Sequence, residues 1–207
     1  EKNLNTIAHF LPEATHFLVD QNAYDEDRFL ELPLLQTEVK RFYAISRLSP
    51  LKRTGQIIQA FQELQHPESE LHIYGDGEEE TLLKEQAKDS TNIHFHGAID
   101  FADIHKAHGA NDCLIIASTI EAGPYTGVEA MAGGRLIISS SVGAMETRLP
   151  DYPFFYDGTV NDLKEKMKLI LAQETSENHR LSSQLRKRYT ENYSEVAIGK
   201  FYLDILL

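Results

Sequence analysis

A chain of 207 residues can bury one sound core and carry appendages to it. Its formal net charge of −12 argues against a nucleic-acid partner, whose phosphates select a basic footprint, but leaves room for a small anion in a locally basic cleft. A single cysteine, Cys113, excludes an internal disulfide and points to a reducing, cytoplasmic compartment, and no apolar run approaches the roughly 20 residues that span a bilayer.

The chain opens at Glu1 rather than methionine and reads as a piece of a longer protein. Residues 1–40 fit a single domain poorly. Thr15 to Val19 has the composition of a strand, and Asp25 to Leu34 resembles a linker, so the boundary is set near residue 40. From residue 41, short β-rich runs alternate with amphipathic helical stretches. Phe42 to Ser46 predicts a strand, and Ile57, Ile58, Phe61 and Leu64 keep the spacing of a helix. Leu71 to Tyr74 is a second strand ending at Gly75-Asp-Gly77, followed by a helix through Leu82, Leu83 and Ala87. Ile93 to His96, Leu114 to Ala117, Leu136 to Ser139 and Phe154 to Tyr156 are four further strands. Phe101 to His108 forms a short helix between the third and fourth. Beyond residue 158 three amphipathic helices follow, at 160–173, 176–189 and 194–207.

Strands joined by helix-length connections imply right-handed βαβ units. The expected fold is α/β, a doubly wound, Rossmann-like parallel sheet of about six strands with helices on both faces. Ligands of such sheets bind outside the carboxyl ends of the strands, at the topological switch. Ser46, Gly75, Gly97, Ser118 and Ser139 all fall at or just past predicted strand ends, so the loops after them should line one crevice.

The segment Glu121-Ala-Gly-Pro-Tyr-Thr-Gly-Val-Glu129 carries the most information. It joins a buried strand to a helix through a glycine-bearing turn, which aims backbone N–H groups and the positive end of a helix dipole at an anion. The glutamates cannot hold that anion, so a hydroxyl-rich group is implied beside it; phosphate next to hydroxyls describes a nucleotide sugar. Arg47 and Lys52 follow the first strand and could clamp two phosphoryl groups, or simply be solvated loop charges. Glu129 should face the crevice and accept from both ribose hydroxyls, the alternative being charge complementarity at a helix start. His94, His96, His105 and His108 invite a metal, but no HExxH or CxxC spacing supports one, so no metal site is assigned. Arg186-Lys-Arg188 reads as the solvated face of a helix, with contact to an anionic membrane surface as the alternative.

Several short segments, taken in order, resemble the C-terminal, donor-binding domain of the GT-B retaining glycosyltransferases of family 4. Asn22 to Phe29 is similar to that family's interdomain segment, Ser46-Arg-Leu…Lys52 to its GRL…K, and Gly75-Asp-Gly77 to its GDG. Ile93 to Gly97 stands where a v-x-F-x-G run is expected. Glu121 to Glu129 resembles the Glu–seven residues–Glu signature, and Val142 to Glu146 the later vGGxxE. Ala122-Gly-Pro departs from the usual Gly-Phe-Gly, Ser46 and Ala144 stand in place of glycines, and Leu136 replaces a common proline.

The resemblance implies a site. Arg47 and Lys52 would bind the donor diphosphate and, with Glu121, form the catalytic set; Glu121 would touch the transferred sugar and Glu129 the ribose. Main-chain groups of Gly97, Ala98 and Ile99 would meet the base, and those of Ala122, Gly123, Pro124, Tyr125, Thr126 and Gly127 the sugar and phosphate. It implies retaining transfer by front-face attack, without metal or cofactor, from a nucleotide sugar, with a UDP-linked hexose favoured. The acceptor, a glycan or glycolipid, would come through an N-terminal domain absent from these residues, leaving this piece nearly inactive alone. Residues 1–40 would then be interdomain segment and remnant, 41–190 the nucleotide-sugar domain, and 191–207 a helix returning to the missing domain. The expected location is cytoplasmic, or the inner face of a membrane. A GT-B sugar-nucleotide epimerase and a non-enzymatic Rossmann-like module remain the alternatives.

Overall fold

The structure, a computed structural model, describes residues 23–206. The strand expected at Thr15 to Val19 and the first residue of the Asn22 segment lie outside the described residues. Six parallel strands form one sheet: β1 (Arg41–Ile45), β2 (Glu70–Tyr74), β3 (Ile93–Gly97), β4 (Cys113–Ile116), β5 (Leu136–Ser140) and β6 (Phe155–Tyr156), in the order β3-β2-β1-β4-β5-β6. The order reverses between β1 and β4, so the expected doubly wound fold is present and its switch point lies there. These two strands are paired through Phe42 with Cys113 and Tyr43 with Leu114. Every residue of β4 and β5 is buried, as continuous apolar runs in a sheet covered on both faces should be.

The helices are α1 (Glu26–Leu30), α2 (Thr54–Leu64), α3 (Glu80–Gln86), α4 (Ile104–Ala110), α5 (Tyr125–Gly133), α6 (Met145–Arg148), α7 (Val160–Leu171), α8 (Thr175–Asn192) and α9 (Glu195–Leu206). Ile57, Ile58 and Phe61 of α2 bury most of the stripe read from the sequence, and α2 packs against α7, on which Leu163, Met167 and Ile170 are buried. Between β3 and α4, residues Phe101–Asp103 form a 3-10 turn rather than the start of one helix. On α9, Val196 is 80% and Phe201 54% exposed, so the last helix carries an uncovered apolar face.

The boundary near residue 40 needs correction as a packing boundary. Ala23, Phe29, Leu35 and Val39 are buried in the same core as the sheet. Phe29 of α1 meets His108 edge-on with centroids 5.5 Å apart, and Leu35 N donates to Ser182 Oγ of α8 at 3.0 Å. The polar Asp25-Glu-Asp27 run suggested a linker, but it forms only the outer side of a short helix whose Phe29 plugs the core.

Two members of the basic run on α8, Arg186 and Arg188, are turned onto the fold, while Lys187 between them stays exposed. Arg186 donates to the carbonyls of Ala132 at 2.9 Å and Leu32 at 2.7 Å, closing the C-terminus of α5 onto the α1 segment. Arg188 donates to Arg148 O. These guanidinium groups satisfy otherwise orphaned carbonyls, which removes the basis for reading them as a membrane-facing patch. Among the described residues no helix is long and apolar enough to cross a membrane.

Candidate functional site

Three loops converge at the carboxyl ends of β1 and β4. After β1 the chain turns through Ser46, Arg47 and Leu48 into a single 3-10 turn at Pro50–Lys52. After β4 it runs from Ala117 through Thr119, whose N–H donates to Leu51 O at 2.9 Å, fastening the two loops together. That bond carries Lys52 to Glu121. Their ammonium and carboxylate meet directly, and Ser118 Oγ donates to the same Glu121 Oε1 at 2.8 Å. Ser118 is in turn fixed from β5, where Ser140 Oγ donates to its carbonyl at 2.9 Å.

A cavity of about 330 Å³ opens there, lined by Ser46, Lys52, Ser118, Glu121 and the start of α5 from Gly123 to Thr126. Pro124 caps α5 with extended backbone and no side-chain hydrogen bond to the helix. The first N–H groups of α5 therefore sit at the cavity wall with the positive end of the helix dipole. Two features hold this turn in place. Arg148 Nη1 donates to Pro124 O at 3.1 Å from a buried position, where burial lowers its pKa. Gly143, at φ +56°, lies so close beneath the turn that a Cβ would stand 2.7 Å from Glu121 O and 2.8 Å from Ala122 O.

A second, shallower cavity of about 690 Å³ shares Ile45 and Ser46 with the first and is lined by Arg47, Gly75 to Glu78, Ala98 and Ile99. The Gly75-Asp-Gly77 turn has a specific purpose here. Leu48 N donates to Asp76 O at 2.6 Å, and Gly75 N donates to Gly97 O at 2.7 Å, so the loops after β1, β2 and β3 are laced together by backbone. A Cβ on Gly75 would lie 1.9 Å from Ser46 O, and one on Gly77 2.2 Å from Leu48 O. No side chain fits between these two backbones.

The structure thus gathers most of the sequence-derived residues and sets some apart. Lys52, Glu121, Gly123, Pro124, Tyr125 and Thr126 line the first cavity; Arg47, Ala98 and Ile99 line the second, adjoining one. Gly97 stands just behind Ala98, and Ala122 is exposed on the outside of the turn. Gly127 faces inward, where a Cβ would meet Met145 Sδ at 2.7 Å. Glu129 departs from the orientation expected of it. It is 2% exposed, lines neither cavity, and lies with its Oε2 3.4 Å from His108 Nε2 on α4. One full turn into α5, Glu129 lies in phase with Gly133, which stands beside His108, and one turn beyond Tyr125, so its stripe has passed from the cavity wall to the contact with α4.

His94 and His96 share one face of the sheet edge with His72. His72 Nδ1 lies 2.9 Å from His96 Nε2, and Tyr74 stacks on His96 with centroids 4.3 Å apart. Among the described residues no group of three or more His, Cys, Asp or Glu side chains is arranged to hold a metal ion.

A doubly wound parallel sheet with a crevice at its switch point fits the Rossmann-like half of a GT-B fold. The family described as glycosyl transferases group 1 matches residues 25–188, and the chain belongs to it. It is 28% identical over 142 residues to the O-antigen biosynthesis glycosyltransferase WbnH of Escherichia coli, an alignment covering 67% of this chain but 36% of that protein. The chain thus spans little more than a third of this curated relative. Among solved structures, the Anabaena Alr3699/HepE complex with UDP and glucose superposes with a TM-score of 0.71 at 21% identity, over 82% of this chain and 48% of that one. The C-terminal domain of a glycosyl transferase group 1 protein, LpcC from Francisella tularensis, superposes with a TM-score of 0.68 at 17% identity, over 85% of this chain and 96% of that domain.

Proposed function

We propose that this chain is the donor-binding part of a retaining, metal-independent glycosyltransferase that takes a nucleoside-diphosphate sugar, with UDP the favoured nucleotide. The observation that carries the reading is the junction of Lys52, Glu121 and Ser118 beside the uncapped start of α5, at the β1/β4 switch. In this reading the diphosphate lies between Lys52, Arg47 and the α5 N–H groups. Each charged hydrogen bond contributes about 1.5–3 kcal/mol, and together they stabilise the negative charge that grows on the leaving group. Glu121 accepts from hydroxyls of the transferred sugar. The nucleoside extends toward Ala98 and Ile99 across the second cavity, and Glu129, buried against His108, must turn one carboxylate oxygen outward to accept from the ribose. The acceptor would be a glycan or glycoconjugate presented by a partner domain. Support comes from the family membership, from a relative named for O-antigen biosynthesis, and from a structural neighbour that holds UDP and glucose.

The test is calorimetric titration of the chain with uridine, guanosine and adenosine diphosphates and their sugars, in chelator. The expected result is binding of one nucleotide class, abolished by changing Lys52 and Arg47 together. Heat-silent titrations with all six ligands would reject the reading.

A further inference from the structure

Glu129 is an expensive residue in its position. It is 2% exposed, and both its Oε2 and the facing His108 Nε2 have no hydrogen-bond partner although only 3.4 Å separates them. A structural role alone would be met better by an apolar residue, since a buried polar atom left without a partner forfeits its hydration with nothing to replace it. The other side of the imidazole is occupied. Tyr43 Oη lies 2.6 Å from His108 Nδ1, and both residues are fully buried. Tyr43 comes from β1, His108 from α4 and Glu129 from α5, so three elements converge to line up phenol, imidazole and carboxylate.

The chemistry of that line is directional. Burial pushes the Tyr43 phenol pKa well up, so the phenol keeps its proton. Burial also lowers the His108 pKa, against the opposing pull of Glu129, so the ring is neutral; the carboxylate facing Nε2 can only accept, which places the ring proton on Nε2 and leaves Nδ1 to accept from Tyr43 Oη. Phe29 packs edge-on against the ring with centroids 5.5 Å apart. Nε2 faces the glutamate, and at 3.4 Å the contact is longer than the roughly 2.7–2.9 Å of a charge-assisted bond.

We infer that His108 is a positioning residue for the nucleotide's ribose: Tyr43 fixes its tautomer, and its Nε2–H anchors one oxygen of Glu129 so that the other can accept from the ribose hydroxyls. This rests on the ribose role of Glu129 proposed above, and it adds two residues outside the paired-glutamate segment to that site.

The test titrates the chain and its Tyr43→Phe and His108→Gln variants with three probes: uridine diphosphate, its 2′-deoxy analogue and inorganic diphosphate. Tyr43→Phe keeps the ring packing but frees the imidazole to present a lone pair to Glu129. Uridine diphosphate should weaken roughly three- to tenfold, the range of one hydrogen bond, while inorganic diphosphate stays within about twofold. His108→Gln keeps an amide donor near the Nε2 position and should restore most of the affinity. Equal weakening for all three probes, or no change for uridine diphosphate, overturns the inference. If the unaltered chain fails to distinguish uridine diphosphate from its 2′-deoxy analogue and from inorganic diphosphate, the ribose role of Glu129 falls first. Long-range proton–nitrogen spectra of the unaltered chain report the tautomer without any substitution: an Nε2–H ring at His108 is expected, and an Nδ1–H ring refutes the relay.

Discussion

Lys52 and Glu121 are 69 residues apart in the chain and meet at the mouth of one cavity, where a single carboxylate oxygen accepts from both the ammonium and Ser118. The side chains are 26% and 16% exposed, so the pair is only partly shielded from water. It neutralises the cation that the proposed diphosphate would need, and the carboxylate must share Lys52 or release it when an anion arrives.

That competition has a measurable consequence. Glu121→Gln removes the charge and leaves an amide of the same shape for Ser118. Inorganic diphosphate should then bind about fivefold more tightly, equivalent to the roughly 1 kcal/mol of one charge pair in a wet site. Turnover with an intact donor and a complementing N-terminal domain should fall, because the sugar loses its acceptor. Unchanged or weaker diphosphate binding in calorimetry would show that the pair does not gate the anion.

Arg47 lies exposed on the wall of the second cavity, away from the hydrophobic core. Arg47→Ala should therefore weaken a nucleoside diphosphate by about 1.5–3 kcal/mol and leave the melting temperature where it was. A melting shift without an affinity change would place Arg47 in the scaffold instead.

Gly75 and Gly97 offer a matched pair of substitutions. Both have positive φ, +130° and +72°, but a Cβ on Gly75 would collide with Ser46 O at 1.9 Å whereas one on Gly97 meets nothing within 4 Å. Gly97→Ala should cost only the backbone term, about 1–2 kcal/mol. Gly75→Ala should cost more in urea unfolding, and it should also weaken diphosphate, because the loop pushed aside carries Arg47. Equal costs for the two would mean the loops after β1 and β2 are not locked together.

Acid should destabilise the fold before the carboxylates titrate. His108, His72 and His96 are each held below the ordinary value of 6.5, in every case chiefly by burial; Glu129 opposes this at His108 and Glu70 at His72. A histidine with a lowered folded-state pKa takes up its proton more readily unfolded. Its contribution is complete above 6.5 and is lost as pH falls from there toward the folded-state values. Urea midpoints should drop between pH 7.5 and pH 5.5, and His72→Gln with His96→Gln should flatten that slope. A midpoint that rises on acidification would reverse the assignment.

The sheet, its helices and the switch-point crevice were legible because burial on both faces imposes short continuous apolar runs on the strands and a period of 3.6 on the helices. Lys52 and Glu121 were legible as well, since each stands just past a strand end where the loops must converge. Glu129 was placed on the right helix, but its carboxylate is buried against His108 instead of opening on the crevice: which neighbour a helical stripe meets depends on packing against α4, which no local pattern states. Tyr43 gave no signal of its own, being an aromatic residue in a strand, and His108 drew notice only as one of four histidines weighed for a metal. The reason for Gly75 and Gly77 was equally hidden, because it lies in a close approach to Ser46 and Leu48 from another strand. Arg186 and Arg188 misled for the opposite reason: a charge run reads as solvated unless the carbonyls it satisfies are known.

The pairing of Phe42 with Cys113 and Tyr43 with Leu114 is the seam between two half-sheets, β3-β2-β1 on one side and β4-β5-β6 on the other. Lys52 belongs to the first half and Glu121, with the start of α5, to the second. An anion seated among them would rivet the halves together above a short line of backbone bonds. Its stabilising effect, RT ln(1 + [L]/Kd), would then be concentrated along that line, slowing amide exchange at Tyr43 and Leu114 ahead of the sheet edges.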